Sequence, residues 1–417
     1  MTEQLKLKLN DSKATRWGAL VIVAFTMMAA YYVNDVVAPL KTMLETDLAW
    51  SSTDFGFFTG GYSFLNVFFL MLIWGGLILD RFGIRFTGKL ATILMVGGTA
   101  LEYYAMTGLA GADATLFGIN EIFGYKTGVF VAFAGYSIFG VGAEVAGITV
   151  SKIIAKWFKG KELATAMGVQ VALARIGSQA GYAVAIPLAR AFGISTPVLL
   201  GLVLLLGGMI AFFVFAVMDK KLDKQMEAAA IAAGTEDEEE KFSFKDVKNI
   251  LVNPGFWLIA LLCVLFYSCV FPFQKFASEL MIIKYGINEN VAGTFAGLPA
   301  LGALILTPVF GGFIDKRGKS ASIMLLGSAM LICVHFIYAI PDINYWLVAI
   351  VLMIILGIAF SLVPSAMWPA VAKIFPVSQL GTAYALIFFI QNIGLWGIPT
   401  LIAVSYTHLT LPTKLEV

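Results

Sequence analysis

Four ionisable side chains lie inside long apolar stretches: Asp35, Glu144, Arg175 and Lys275. An ionisable group inside a membrane costs about 2.5–3.5 kcal/mol on insertion scales, so each is a candidate for function. Two are acids and two are bases, and they divide over both halves of the chain. That set suits a zwitterion with separated ends, its amine meeting Asp35 or Glu144 and its carboxylate meeting Arg175 or Lys275. A two-residue peptide spans roughly 7 Å at about 3.5 Å per residue, enough to bridge facing helices. A purely anionic ligand would want the cations alone. The acids could also carry a coupling proton: burial and a neighbouring arginine act on a carboxyl group in opposite senses, which leaves that role open.

Each of the four sits in a local pattern. Asp35 adjoins Asn34 one turn from Tyr31, and plain hydration near the end of its apolar run is the alternative reading. Tyr136, Gly140 and Glu144 recur at helical spacing and share a face, where the glycine leaves room for a partner or a ligand. Ala172, Arg175, Gln179 and Tyr182 form a second stripe. The planar arginine fork fits a carboxylate or phosphate; a permanent Glu144–Arg175 pair is the structural alternative. Lys275 follows Tyr267 and Phe271, with Pro272 between, and could instead reach outward beside Glu279. The expected substrate-binding set is therefore Asp35, Glu144, Arg175, Gln179, Lys275, Tyr31 and Tyr267. Asn66, Gln170, Gln391 and Asn392 either line the same space or bond neighbouring helices. Glu102 beside Tyr103 and Tyr104 reads as part of an interfacial belt, Trp368 as an interface anchor, and His335 as packing.

The elements that position these residues follow from composition. The 417 residues are 59% hydrophobic and 13% charged, with a mean hydropathy of +0.87. A chain so apolar has lipid for its solvent. The formal net charge of +2 carries no nucleic-acid signal. Cys263, Cys269 and Cys333 lie within apolar runs without metal-ligand spacing and read as packing residues; no metal or cofactor is expected. A span needs about 20 apolar residues. Eleven are predicted, near 17–40, 54–79, 86–109, 128–150, 163–188, 196–218, 255–277, 291–314, 321–340, 345–369 and 381–404. Cations collect at the N-terminus, around Arg81, Arg85 and Lys89, at Lys152–Lys161 and at Lys316–Lys319. The excess of positive charge places the N-terminus in the cytoplasm, of an inner cell membrane in the simplest case.

A charged loop is repeated between apolar runs: Gly76-Leu-Ile-Leu-Asp80-Arg81-Phe-Gly83-Ile-Arg85 and Gly311-Gly-Phe-Ile-Asp315-Lys316-Arg317-Gly318-Lys319. A second repeat pairs Trp157-Phe158-Lys-Gly-Lys161-Glu162-Leu-Ala-Thr-Ala with Ile374-Phe375-Pro-Val-Ser-Gln379-Leu-Gly-Thr-Ala. The two halves thus correspond: residues 1–218 as an N-terminal six-helix lobe, 219–254 as a cytoplasmic linker with the acidic run Glu236–Glu240, and 255–404 as a C-terminal lobe. Residues 405–417 read as a non-native tail resembling translated adapter sequence, with a twelfth span absent.

This plan resembles the major facilitator superfamily over the chain up to Val404. The resemblance implies an all-α membrane protein of two six-helix bundles, alternating access, and a central site between the lobes. It further implies a conformational latch at Gly76, Asp80, Arg81, Gly83, Arg85, Gly311, Asp315, Lys316 and Gly318. Phe139-Gly-Val-Gly-Ala-Glu144, Ala174-Arg175 and Phe271-Pro-Phe-Gln-Lys275 are similar to the lysosomal dipeptide-uniporter branch and its bacterial relatives, which implies small peptides as substrates.

A secondary transporter is accordingly expected, as uniporter or symporter, monomeric, with protons as the candidate coupling ion and no nucleic-acid partner. No phosphate-binding loop supports ATP drive, and no nucleophile–base set or metal cluster supports an enzyme. The alternatives are a proton-coupled or exchanging carrier of organic anions, oxalate- or hexuronate-like, and a non-transporting receptor or scaffold.

Overall fold

The structure, a computed structural model, describes residues 8–111, 114–158, 161–233, 244–375 and 377–410. Helix α1 (Lys13–Val36) starts where the Ser12 hydroxyl accepts from the Thr15 amide. A 3₁₀ turn at Ala38–Leu40, set by Pro39, leads into α2 (Lys41–Asp47). Helix α3 (Ser52–Phe68) opens on a reciprocal cap between Ser51 and Asp54. It breaks at Phe69–Leu70, where Leu70 adopts a left-handed backbone (φ 53°), and α4 (Met71–Ala105) leaves at a 58° bend. Gly83 interrupts α4 with φ 74°, a conformation that favours glycine. A short hairpin, β1 (Glu121–Ile122) and β2 (Tyr125–Lys126), precedes α5 (Thr127–Trp157), α6 (Leu163–Phe192) and α7 (Thr196–Ala233).

The second half contains α8 (Phe244–Val252), α9 (Pro254–Ile283), α10 (Glu289–Ala296), α11 (Leu298–Arg317), α12 (Ser320–Ala339), α13 (Trp346–Ile374) and α14 (Val377–Thr410). The expected span 291–314 is thus divided at Gly297 between α10 and α11. Helix α14 runs past the expected end at Val404, through Ser405 to Thr410. The acidic run Glu236–Glu240 lies outside the described residues, while the linker to either side of it is helical.

Among the described residues, eight helices are long and apolar enough to cross a bilayer, or nine with the bent α3–α4 pair counted as one span. The sequence predicts eleven. The segments expected at 86–109 and 163–188 are helical, within α4 and α6. Lys89 and Glu102 dilute the apolarity of the first; Gln170, Arg175 and Gln179 dilute the second.

Two apolar cores hold the bundle. One is built from α1 and α3–α7, around Phe55, Phe139, Trp157 and Phe215. The other is built from the helices after residue 250, around Phe256, Met353 and Phe360. They meet where α14 lies along α3, where α10 and α11 lie along α6, and where α9 touches the 3₁₀ turn. Helices approach most closely at glycine: a Cβ on Gly140 of α5 would stand 2.0 Å from the Tyr62 carbonyl oxygen of α3. The space that Gly140 leaves is therefore filled by a partner helix rather than a ligand.

Candidate functional site

A cavity of about 890 Å³ lies between the two cores. Its walls come from α1, α3–α6, α9 and α14. The lining runs from Asn34, Tyr136 and Lys275 at one end to Gly76, Ser151 and Lys152 at the other. Ser151 and Lys152 are exposed, so the cavity opens on the face that carries the N-terminus, called here the near face.

Glu144 and Arg175 share this cavity without pairing. Helix α5 points Glu144 at α3, where the Tyr62 hydroxyl donates to its Oε1 at 3.0 Å. Helix α6 points Arg175 between two rings from opposite cores: Tyr31 of α1, with the guanidinium carbon 5.3 Å from the ring centre, and Phe360 of α13 at 4.8 Å. Among the described residues Arg175 has no carboxylate partner. The two rings hold the guanidinium by cation–π attraction, which uses none of its N–H donors.

Lys275 marks the sealed end. Pro272 occupies the interior of α9 one turn before it. The ammonium crosses to the first core, donating to the Asn34 carbonyl, to Asp35 Oδ1 at 3.3 Å and to the Tyr136 hydroxyl at 3.2 Å. Asp35 also accepts from the Asn34 amide at 2.9 Å and is buried rather than hydrated. Further out on the far face, Lys41 bonds Glu279 at 2.5 Å and Glu45 at 2.7 Å, and Arg190 reaches Glu289 and Asn290. Three charged ties therefore cross between the cores on the far face. Near-face pairs join elements of the first core to one another: Arg16 with Glu162, Lys161 with Asp11, and Arg85 and Lys156 with Asp219 and Asp223. Glu162 is held below the usual carboxylate range by its own backbone amide and by Arg16, and Asp11 by Lys161 and the Lys8 amide.

The family model of the Major Facilitator Superfamily matches residues 20–397. The chain belongs to the major facilitator superfamily. It is an integral, multi-pass membrane transporter of small molecules and not an enzyme. The lysosomal dipeptide transporter MFSD1 of Homo sapiens is 29% identical over 396 residues, covering 92% of this chain and 78% of that protein. Its counterpart from Bos taurus is 27% identical over 394 residues, with 92% and 77% covered. Among solved structures, a D-xylose–proton symporter superposes with a TM-score of 0.62 at 16% identity, covering 93% of this chain and 89% of that one. The nucleoside transporter NupG superposes at 0.65 and 12% identity, with 92% and 90% covered. These two likenesses concern the fold.

Of the residues singled out from sequence, Tyr31, Glu144, Arg175 and Lys275 line the cavity, as do Gln170 and Gln391. Asp35 lies behind Lys275. Gln179 sits in the α6–α10 contact, its amide 3.5 Å from the Thr294 carbonyl. Tyr267 is buried, stacked on Phe271 and accepting from the Trp368 indole at 3.2 Å. Trp368 is thus an internal bridge rather than an interface anchor. Glu102 is fully buried under α5, because Gly135 lets that helix close over it, and is no part of an interfacial belt. Tyr62, Phe360 and Tyr384 were not legible as cavity or clamp residues: each is an ordinary aromatic in an apolar run, given meaning by a partner distant in sequence.

Around the repeated loops, Gly76 lines the cavity, Arg85 bonds Asp223 at 2.8 Å, and Arg81 lies over the Phe82 ring. Gly311 lies within α11, with Lys316 in its last turn, and Gly318 closes that helix with φ 68°. The side chains of Asp80 and Asp315 lie outside the described residues.

Proposed function

We propose that this transporter moves dipeptides or similar zwitterions by alternating access between two lobes, residues 1–218 and 255–404, joined by 219–254. The observation that carries the reading is the Arg175 guanidinium, clamped by rings from both cores and without an acid partner among the described residues, in the same cavity as Glu144. The substrate carboxylate takes the fork of Arg175. Its amine takes Glu144, beside the Tyr62 hydroxyl. Tyr31 positions the arginine; Tyr267 and Gln179 support the cavity wall from behind. The relatives named as dipeptide transporters support the substrate class of this reading. Asp80, Arg81, Asp315 and their neighbours would latch the near face when it closes. The near face is cytoplasmic by its cation excess, and the structure then corresponds to an inward-open state.

A second reading is an organic-anion carrier. Its support is that Lys275 and Arg175 both line the cavity, whereas Asp35 is already matched by Lys275. Melting-temperature screening of the purified protein with dipeptides and di-acids separates the two, since a ligand that binds the folded state raises the midpoint. Stabilisation by dipeptides that is lost in both Arg175→Ala and Glu144→Ala supports the zwitterion clamp. Stabilisation by di-acids alone, kept in Glu144→Ala, overturns it.

A further inference from the structure

The segment between α4 and α5, on the far face, repeats a short pattern: Leu116-Phe-Gly-Ile119 and Ile122-Phe-Gly-Tyr125. Each copy folds as a two-residue turn, with Leu116 bridged to Ile119 and Ile122 paired with Tyr125. Phe117 and Phe123 have φ of 54° and 53°, followed by glycines at 81° and 80°. Turns with two left-handed central residues ordinarily place Asn, Asp or Gly first, because a larger side chain is strained there. Here that position holds a phenylalanine twice. Neither ring is used in a core: Phe117 is 95% exposed and Phe123 88%. A strained residue that leaves almost its whole side chain exposed has its use outside the fold.

The base of the hairpin is held firmly. Tyr125 stacks on Phe57 at 3.9 Å, the Thr127 amide and hydroxyl donate to the carbonyls of Asn120 and Ile119, and Lys126 reaches the Ala49 carbonyl. The tips are apolar and the base is polar, and the segment joins the ends of two membrane helices. The lipid-exposed surface runs into it: Leu101 and Tyr104 are exposed on the last turns of α4, and Phe123 lies 5.9 Å from Phe130 of α5. Aromatic rings at such a level partition into the interfacial layer of a bilayer.

We propose that Phe117 and Phe123 are membrane-surface anchors that insert into the far-face leaflet. The one charged residue between the tips is Glu121, an exposed acid, so the surface they enter is recognised by its apolar depth and not by anionic headgroups. The anchors hold the outer ends of α4 and α5 at a fixed depth while other helices move.

The test places a nitroxide at Phe117→Cys, Phe123→Cys and, for contrast, Glu121→Cys, in the full chain with Cys263, Cys269 and Cys333 replaced by alanine. The protein is reconstituted in phosphatidylcholine nanodiscs, with and without phosphatidylglycerol. Collision with oxygen, which concentrates in lipid, should exceed collision with a water-soluble nickel chelate at 117 and 123, reverse at 121, and ignore phosphatidylglycerol. Nickel accessibility at 117 and 123 equal to that at 121 overturns the proposal and leaves a protein partner as the reason for the exposed rings. An oxygen preference that appears only with phosphatidylglycerol overturns it too. Should a label disturb the hairpin, Phe117→Trp in a chain whose eight native tryptophans are replaced by phenylalanine gives the same decision: quenching by brominated phosphatidylcholine supports insertion, and quenching by iodide refutes it.

Discussion

Glu279→Gln tests whether the far-face ties hold that side shut. Lys41 has 1% of its side chain exposed and Glu279 8%, and their contact of 2.5 Å joins the α2 start to α9. Leaving a buried charge wholly uncompensated costs about 3–5 kcal/mol. Lys41 keeps Glu45 at 2.7 Å and the Ser52 hydroxyl at 2.9 Å, so the loss is nearer the ~1.5–3 kcal/mol of one charged hydrogen bond. At about 1.4 kcal/mol per factor of ten, the closed arrangement loses roughly ten- to hundredfold in population. Ala38, 2% exposed in the same region, reports this when changed to cysteine and exposed to an impermeant maleimide on the far side. Glu279→Gln should raise its labelling rate at least tenfold. Lys41→Met with Glu279→Met leaves neither partner buried alone and should return the rate towards the parent. Equal rates in parent and Glu279→Gln, or a double variant as fast as the single, would refute the reasoning.

Other outcomes follow from the same geometry. Arg175→Lys keeps the charge but loses the stacked fork, and should raise the KM for dipeptide uptake about tenfold or more, measured in liposomes; an unchanged KM would remove Arg175 from the site. Glu144→Gln should abolish the preference for free over N-acetylated dipeptides, scored by competition. Gly140→Ala forces α5 against the Tyr62 carbonyl and should lower the melting midpoint, with a cost of about 1–3 kcal/mol. Asp11 and Glu162 titrate below their ordinary values, so their ion pairs contribute fully above about pH 4 and are lost only as pH falls further. Hydrogen exchange over residues 9–16, corrected for intrinsic rates, should stay flat from pH 7 to 5 and rise below 4; loosening near pH 6 would contradict this.

The helices were legible because most spans exceed twenty apolar residues bounded by charge, and the four intramembrane charges stood out as costly exceptions. What the sequence could not carry was pairing. Glu144 and Arg175 look like partners one helix apart, yet Tyr62 takes the first and two rings take the second. The stripe Arg175–Gln179–Tyr182 is continuous on α6, but α10 crosses it, so only its first member faces the cavity. The bend at Leu70 has no glycine or proline to announce it: the left-handed residue is a leucine, exposed like Phe68 and Phe69 before it. Glu102 beside two tyrosines reads as interfacial until Gly135 is seen to bring α5 over it.

The far-face ties differ in how much water they meet, and this divides their response to electrolyte. Arg190 and Glu289 have side chains 43% and 44% exposed, so their attraction is screened over a Debye length of about 8 Å at physiological ionic strength and fades further in brine. Lys41 and Glu279 lie where mobile ions do not reach, and their bond is indifferent to salt. The closed far side thus has a salt-labile rim around a salt-proof bolt. A rise in ionic strength on that face can slacken the rim without opening the passage.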